Sequence, residues 1–178
     1  MYPAPAGKFK PSKDTIVERV LTAFSLASAQ NPTAGGGPSN AIQIEFGAAQ
    51  NGVNDPVMID VDGTITINEG GFYRAKVTLV HGRITNPGTS ELLFRVLVNG
   101  AQSGISVPQK ISGADVLAVY ELDAWVSAPS GTAFKFEVMR DSSGNDSGGL
   151  IAGTVTADPG AWNPAPCATI LIDRPTNP

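Results

Sequence analysis

Few side chains in this sequence could do chemistry, and they lie far apart. His81 is the only histidine, so a general base of the Ser-His-Asp or Cys-His kind would have to be this residue. No serine in a nucleophile-elbow pattern accompanies it. Cys167, the only cysteine, has no partner for an internal disulfide and sits beside the last apolar run, where a small core residue is expected. Asp60-Val61-Asp62-Gly63 has the opening spacing of a calcium loop but lacks the third acidic position and the closing glutamate, so it reads as an Asp-Gly turn. Gly35-Gly36-Gly37 lacks the Lys-Ser/Thr ending of a phosphate cradle. The run from Asp141 to Gly149 is rich in oxygens that suit a cation, yet reads as a solvated loop tip. The expectation is a protein with no catalytic residue, no metal and no cofactor, and so not an enzyme.

What remains is binding. Residues 1–14 hold Pro3, Pro5 and Pro11, with Tyr2, Lys8, Phe9, Lys10 and Lys13 among them. Proline fixes φ and pushes its predecessor to extended geometry, so this stretch is expected to be an extended arm that grips a partner. Fourteen extended residues reach about 45 Å, enough to cross onto a neighbour. Two loops, 141–149 with Asn145 and Asp146, and 158–166 with Trp162, are expected to project outward.

The elements that would carry these residues are strands. The chain has 178 residues, 20 of them Gly and 14 Pro, and only 16% are charged; a typical soluble protein has about 25% charged residues. Dense turn formers with little charge point to many short strands around one core. The net charge of −4 gives no footprint for nucleic acid or an anionic membrane, and neither partner is expected. The first residues lack the charged head and apolar stretch of a secretory signal, so synthesis in a host cytoplasm without a leader is expected.

Gly63 to Val80 organises the chain. Ile65 and Ile67 share one face of a first run, and Tyr73, Ala75, Val77 and Leu79 share one face of a second, the period of two that marks strands. The Glu69-Gly70-Gly71 break between them is either a hairpin or a corner between two sheets, with Phe72 and Tyr73 entering the core beside it. Further alternating runs are Ala41–Phe46, Val57–Val61, Glu91–Asn99, Val116–Val126, Ala133–Arg140, Leu150–Thr156 and Ala168–Ile172. Ala101–Gln109 reads as a loop and edge region. Thr15–Ala29 is ambiguous: Ile16, Val17, Val20, Leu21 and Phe24 fall on one helical face, while Thr, Ile, Val and Phe are strand formers, so the reading is a strand over Arg19–Ser28 with a short helix at 14–20 as the alternative. These runs predict an all-β protein of about nine or ten strands. Its parts are an arm at 1–20, a single domain at 21–173 and a tail at 174–178.

The order strand, Glu69-Gly70-Gly71-Phe72-Tyr73-Arg74, strand, and then a strand ending in Val98-Asn99-Gly100, resembles the tumour-necrosis-factor and complement-globular-head superfamily, from about Leu21 to Asp173. Pro129-Ser130-Gly131-Thr132 stands where that family has a Gly-Asp turn. The resemblance implies a two-sheet jelly-roll sandwich that forms a homotrimer, its axis lined from the Glu91–Asn99 and Val116–Val126 strands. With no stalk or leader ahead of the head, the chain is most similar to phage head decoration, or cement, proteins. That likeness implies a trimer bound to the major capsid protein on the outer surface of the virion. The alternative is a receptor- or glycan-binding knob of a phage tail needle or fibre, with Trp162 and Asn145 outward; a secreted signalling ligand is a third option.

Overall fold

The computed structural model describes residues 16–25, 29–32, 38–50, 56–83, 89–112, 116–141, 148–151 and 165–176. These form eleven strands: β1 (Ile16–Phe24), β2 (Ile42–Gln43), β3 (Val57–Ile59), β4 (Ile65–Ile67), β5 (Gly71–Arg83), β6 (Thr89–Val98), β7 (Ala101–Ser112), β8 (Val116–Ala128), β9 (Ala133–Arg140), β10 (Gly149–Leu150) and β11 (Ala168–Thr176). Among the described residues the helical content is a 3-10 turn at Pro38–Asn40.

The first sheet runs β1-β11-β5, with β8 on the far edge of β5 and β10 beside its end. The second runs β3-β4-β9-β6-β7, with β2 beside β9. All pairings are antiparallel, and the protein is an all-β, two-sheet jelly-roll sandwich. The two sheets face each other across one core that includes Leu21, Ile44, Phe46, Ile65, Ile67, Tyr73, Leu79, Leu92, Val138 and Ile170. Burying one such Leu, Ile, Val or Phe side chain contributes about 1.5–3 kcal/mol.

The break at Glu69-Gly70-Gly71 is a corner: β4 belongs to the second sheet and β5 to the first. The Tyr73 hydroxyl pins it by donating to the Glu69 carbonyl at 2.5 Å. Only one ring of the expected core pair goes inside. Tyr73 is buried, while Phe72, one residue earlier on a strand whose side chains alternate, lies on the outer face and stacks on Trp125.

β1 begins at Ile16, so residues 16–20 of the segment 1–20 are paired strand, in register with Arg174, Pro175 and Thr176 and their neighbours in β11. At the other end, β11 extends to Thr176, into the segment 174–178. The helix considered at 14–20 is not formed over its described part. A register shift between Arg19 and Leu21 turns both Val20 and Leu21 inward, leaving Val17 and Phe24 exposed. That bulge breaks the period of two and mimics helical spacing in the sequence.

Ala101–Gln109, read as loop and edge, is most of β7, an edge strand along β6. Pro108 sits opposite Leu93 in it, a place where an edge strand tolerates a missing donor. The β6–β7 turn is Asn99-Gly100, with φ of 49° and 81°. Both residues are left-handed, as a two-residue hairpin of the I′ type requires. The Asn99 carboxamide oxygen accepts from the Ala133 amide at 2.9 Å, tying this turn to β9.

Candidate functional site

β8 pairs with β5 along its whole length, from Gly71↔Ala128 to Arg83↔Val116, and among the described residues no strand lies on its other edge. β7 likewise pairs only with β6. Three residues separate Ser112 from Val116. They span at most about 14 Å between those two ends, little more than the ~10 Å between packed sheets. These two edges therefore lie on the same side of the sandwich, one from each sheet, and among the described residues no strand covers that side.

Between them lies a cavity of about 280 Å³, lined by Tyr73, Val96, Ala124, Val126, Phe134 and Phe136 among others, with Ser103 as the one hydroxyl besides that of Tyr73. A second hollow of about 180 Å³ shares Val96, Ser103, Leu122 and Phe136 with it and continues to Ile105 and Tyr120. The cleft thus follows both edges. Its chemistry is apolar contact flanked by backbone donors and acceptors of β7 and β8 that, among the described residues, no strand pairs, the groups that take a neighbouring chain.

The outer face of the first sheet adds to this side. Leu117 is 57% and Val119 58% exposed, and Trp125 is exposed as well. Phe72 stacks on Trp125 with ring centroids 5.9 Å apart, and the Arg74 guanidinium lies 5.8 Å from that indole. Arg74 also donates twice to Asp123, at 2.8 and 2.5 Å, and this hydrogen bonding holds the Asp123 carboxyl below the usual range. Ile105 is 84% exposed where β7 bulges past β6.

The residues weighed for chemistry are elsewhere and are not brought together. His81 points inward from β5, and burial pushes its pKa down. Its ring meets Phe94 edge-on at 5.8 Å. Cys167 is buried, with its Sγ 3.3 Å from Ser25 Oγ and 3.4 Å from Gln30 Nε2. Asp62 forms a tight turn: its Oδ1 accepts the Thr64 amide at 3.0 Å, and that bond lowers its pKa. The Asp60 carbonyl accepts the Gly63 amide at 2.9 Å, closing the same turn. Among the described residues no group of three or more His, Cys, Asp or Glu side chains could hold a metal ion. Also among them, no helix is long and apolar enough to cross a membrane.

The binding residues named from the sequence, Tyr2, Lys8, Phe9, Lys10 and Lys13 in the arm and Asn145, Asp146 and Trp162 in the loops, lie outside the described residues. The open side was only half legible. Of the two runs expected to line a three-fold axis, Val116–Val126 is β8, which borders this side, whereas Glu91–Asn99 is β6, paired on one edge by β7 and on the other by β9. The other edge that borders this side is that of β7, with the weak strand pattern Ala-Gln-Ser-Gly-Ile-Ser. The available signal was the surplus of Leu117 and Val119 on the second face of β8.

No protein-family model matches the chain, and no curated protein matches it. Among solved structures it is similar to the globular domain of zebrafish complement 1qA protein, at 12% identity over 89% of this chain and 96% of that one, with a TM-score of 0.43. The fold class rests on the strand pairing, and that likeness carries no statement about function.

Proposed function

We propose that the chain is a structural, non-enzymatic head that associates as a homotrimer and decorates a phage capsid, binding the major capsid protein on the outer surface of the virion. The observation that carries this reading is the open side, where two free strand edges flank an apolar cleft. Next to it are Leu117 and Val119, more than half exposed on the same sheet. A small sandwich leaves such a surface bare only at a cost in solubility, and a second copy covers it. When the open side of one copy meets a different face of the next, the contact is heterologous and a rotation closes it into a ring. The number three comes from the resemblance.

The shell contact is assigned to residues 1–14, with Tyr2, Lys8, Phe9, Lys10 and Lys13 as the gripping side chains. The segment precedes β1, which lies at the edge of its sheet away from β8, so an arm leaving there does not need the surface that the copies share. Three weak arm contacts joined in one trimer multiply into avidity, and this is how a small protein would staple shell subunits.

Deleting residues 1–14 tests the arm, because β1 begins only at Ile16. The truncated protein is expected to keep its assembly and to lose cosedimentation with capsids; full occupancy of the shell by the truncated protein would refute the assignment.

A further inference from the structure

The end of the sandwich away from the β4–β5 corner holds a group of buried cations and one neutral imidazole. His81 is 1% exposed, its Nδ1 has no hydrogen-bond partner, and β10 is in register with it: Leu150 faces His81 and Gly149 faces Gly82. β10 is the shortest partner of β5, with two pairs against thirteen for β8. It is the hub of several other contacts. Gln30 and Leu150 exchange backbone hydrogen bonds at 3.0 Å each, and the Ile151 amide donates to the Val80 carbonyl at 2.9 Å.

Among the described residues, the buried charged side chains at this end of the sandwich are two guanidinium groups. Arg83, two residues along the same face of β5, is buried and donates to Ser90 Oγ and the Ile111 carbonyl. Arg140 reaches in from β9, buried, and donates to the Pro32 carbonyl at 2.7 Å and to the Gly148 carbonyl at 3.2 Å. β6 turns Ser90, Leu92 and Phe94 inward; β8 contributes Tyr120, which stacks on Phe94. β10 and β11 bring no charge to the inner face, and buried Cys167 precedes β11. Glu91, Glu121 and Glu137 occupy the outward positions of their strands, which alternate with the buried ones. Among the described residues on these elements no carboxylate faces His81.

We propose that His81 is an acid-sensitive latch: protonation of its buried ring releases β10 and the segment 148–151 from the edge of β5. A proton added to the ring places a charge in a site from which water is excluded; the Leu79 backbone interaction favours the charged ring, but burial opposes it more strongly, in a region that already holds two guanidinium groups. The least-paired strand yields first. The direction follows from linkage. Burial lowers the folded pKa, so the unfolded chain binds the proton first as pH falls. Stability is full above the ordinary histidine range, declines as pH drops through about 6.5, and levels off below the lowered folded pKa. Within that window the folded-to-unfolded ratio falls by up to about tenfold per pH unit.

Because His81 is the only histidine, the window between pH 7.5 and 5.5 isolates it from the other side chains with ordinary pKa values. The experiment follows urea unfolding and amide hydrogen exchange, with protection corrected for the intrinsic rate, on the full chain and on His81→Gln. The wild type is expected to lose stability from pH 7.5 to 5.5, with protection falling at Gln30, Leu150 and Ile151 before Val77 and Leu79; His81→Gln is expected to be flat. A flat wild type, an equal slope in the variant, or uniform loss of protection would overturn the proposal. Should the variant not fold, the imidazole resonance of the wild type decides. Titration in the ordinary range in the folded protein contradicts the latch, and resistance to protonation until well below that range supports it.

Discussion

Gly63 and Gly131 share the same backbone conformation and differ in what surrounds them, so replacing each by alanine separates conformational strain from steric exclusion. Both have φ of +83°, where an L side chain is strained. A Cβ at Gly131 would meet nothing within 4 Å, whereas one at Gly63 would lie 2.2 Å from the Ile44 carbonyl oxygen and 3.1 Å from the Glu45 Cα. Gly131→Ala should therefore cost only the left-handed penalty, about 1–2 kcal/mol. Gly63→Ala carries the same penalty and must also move Ile44 by about 1 Å to reach an ordinary contact distance. Ile44 is buried, and its amide is bound to the Phe136 carbonyl at 2.8 Å, so the shift loosens the second sheet. The sum is on the order of 4 kcal/mol, in the range reserved for a named steric or core defect. Thermal unfolding followed by circular dichroism at one fixed protein concentration reads the difference. For a domain of this size each kcal/mol moves Tm by about 2–4 °C, so drops of roughly 2–8 °C for Gly131→Ala and roughly 8–16 °C for Gly63→Ala are expected. Equal drops for the two variants would show that the β3–β4 turn does not press on the strand segment at Ile44.

Two other substitutions probe the corner and the open side. Tyr73→Phe removes the hydroxyl that the Glu69 carbonyl accepts and keeps the ring, so urea titration should show a loss of about 1–2 kcal/mol; no change would mean that this bond does not hold the corner. Leu117→Glu combined with Val119→Glu places two charges on exposed outward positions, so the far-ultraviolet circular dichroism should be unchanged while the assembly dissociates in size-exclusion chromatography. Retention of the parent elution volume would remove this face from the interface.

The strands were legible where burial alternates strictly. Tyr73, Val77 and Leu79 in β5 and Phe136 and Val138 in β9 lie on the inner face that their spacing indicated. Reading failed where something other than alternation decides. At β1 a bulge buries Val20 and Leu21 together and counterfeits a helical stripe. In β7 the pairing with β6 organises Ala101-Gln102-Ser103, residues of low strand preference that gain little burial there. Phe72 is as apolar as Tyr73, and only the direction in which β5 leaves the corner settles which ring goes inside. The open side was legible in part, as extra apolar residues on the outer face of β8. Its other half was not, because which edges remain unpaired is a property of the closed topology and no local pattern in β7 or β8 encodes it.

The central claim, that copies of this chain cover the open side between β7 and β8, is tested most directly by the mass of the protein in solution. Multi-angle light scattering across a dilution series should give three times the 18.4 kDa of one chain. A stable 18.4 kDa monomer across that series would contradict the account.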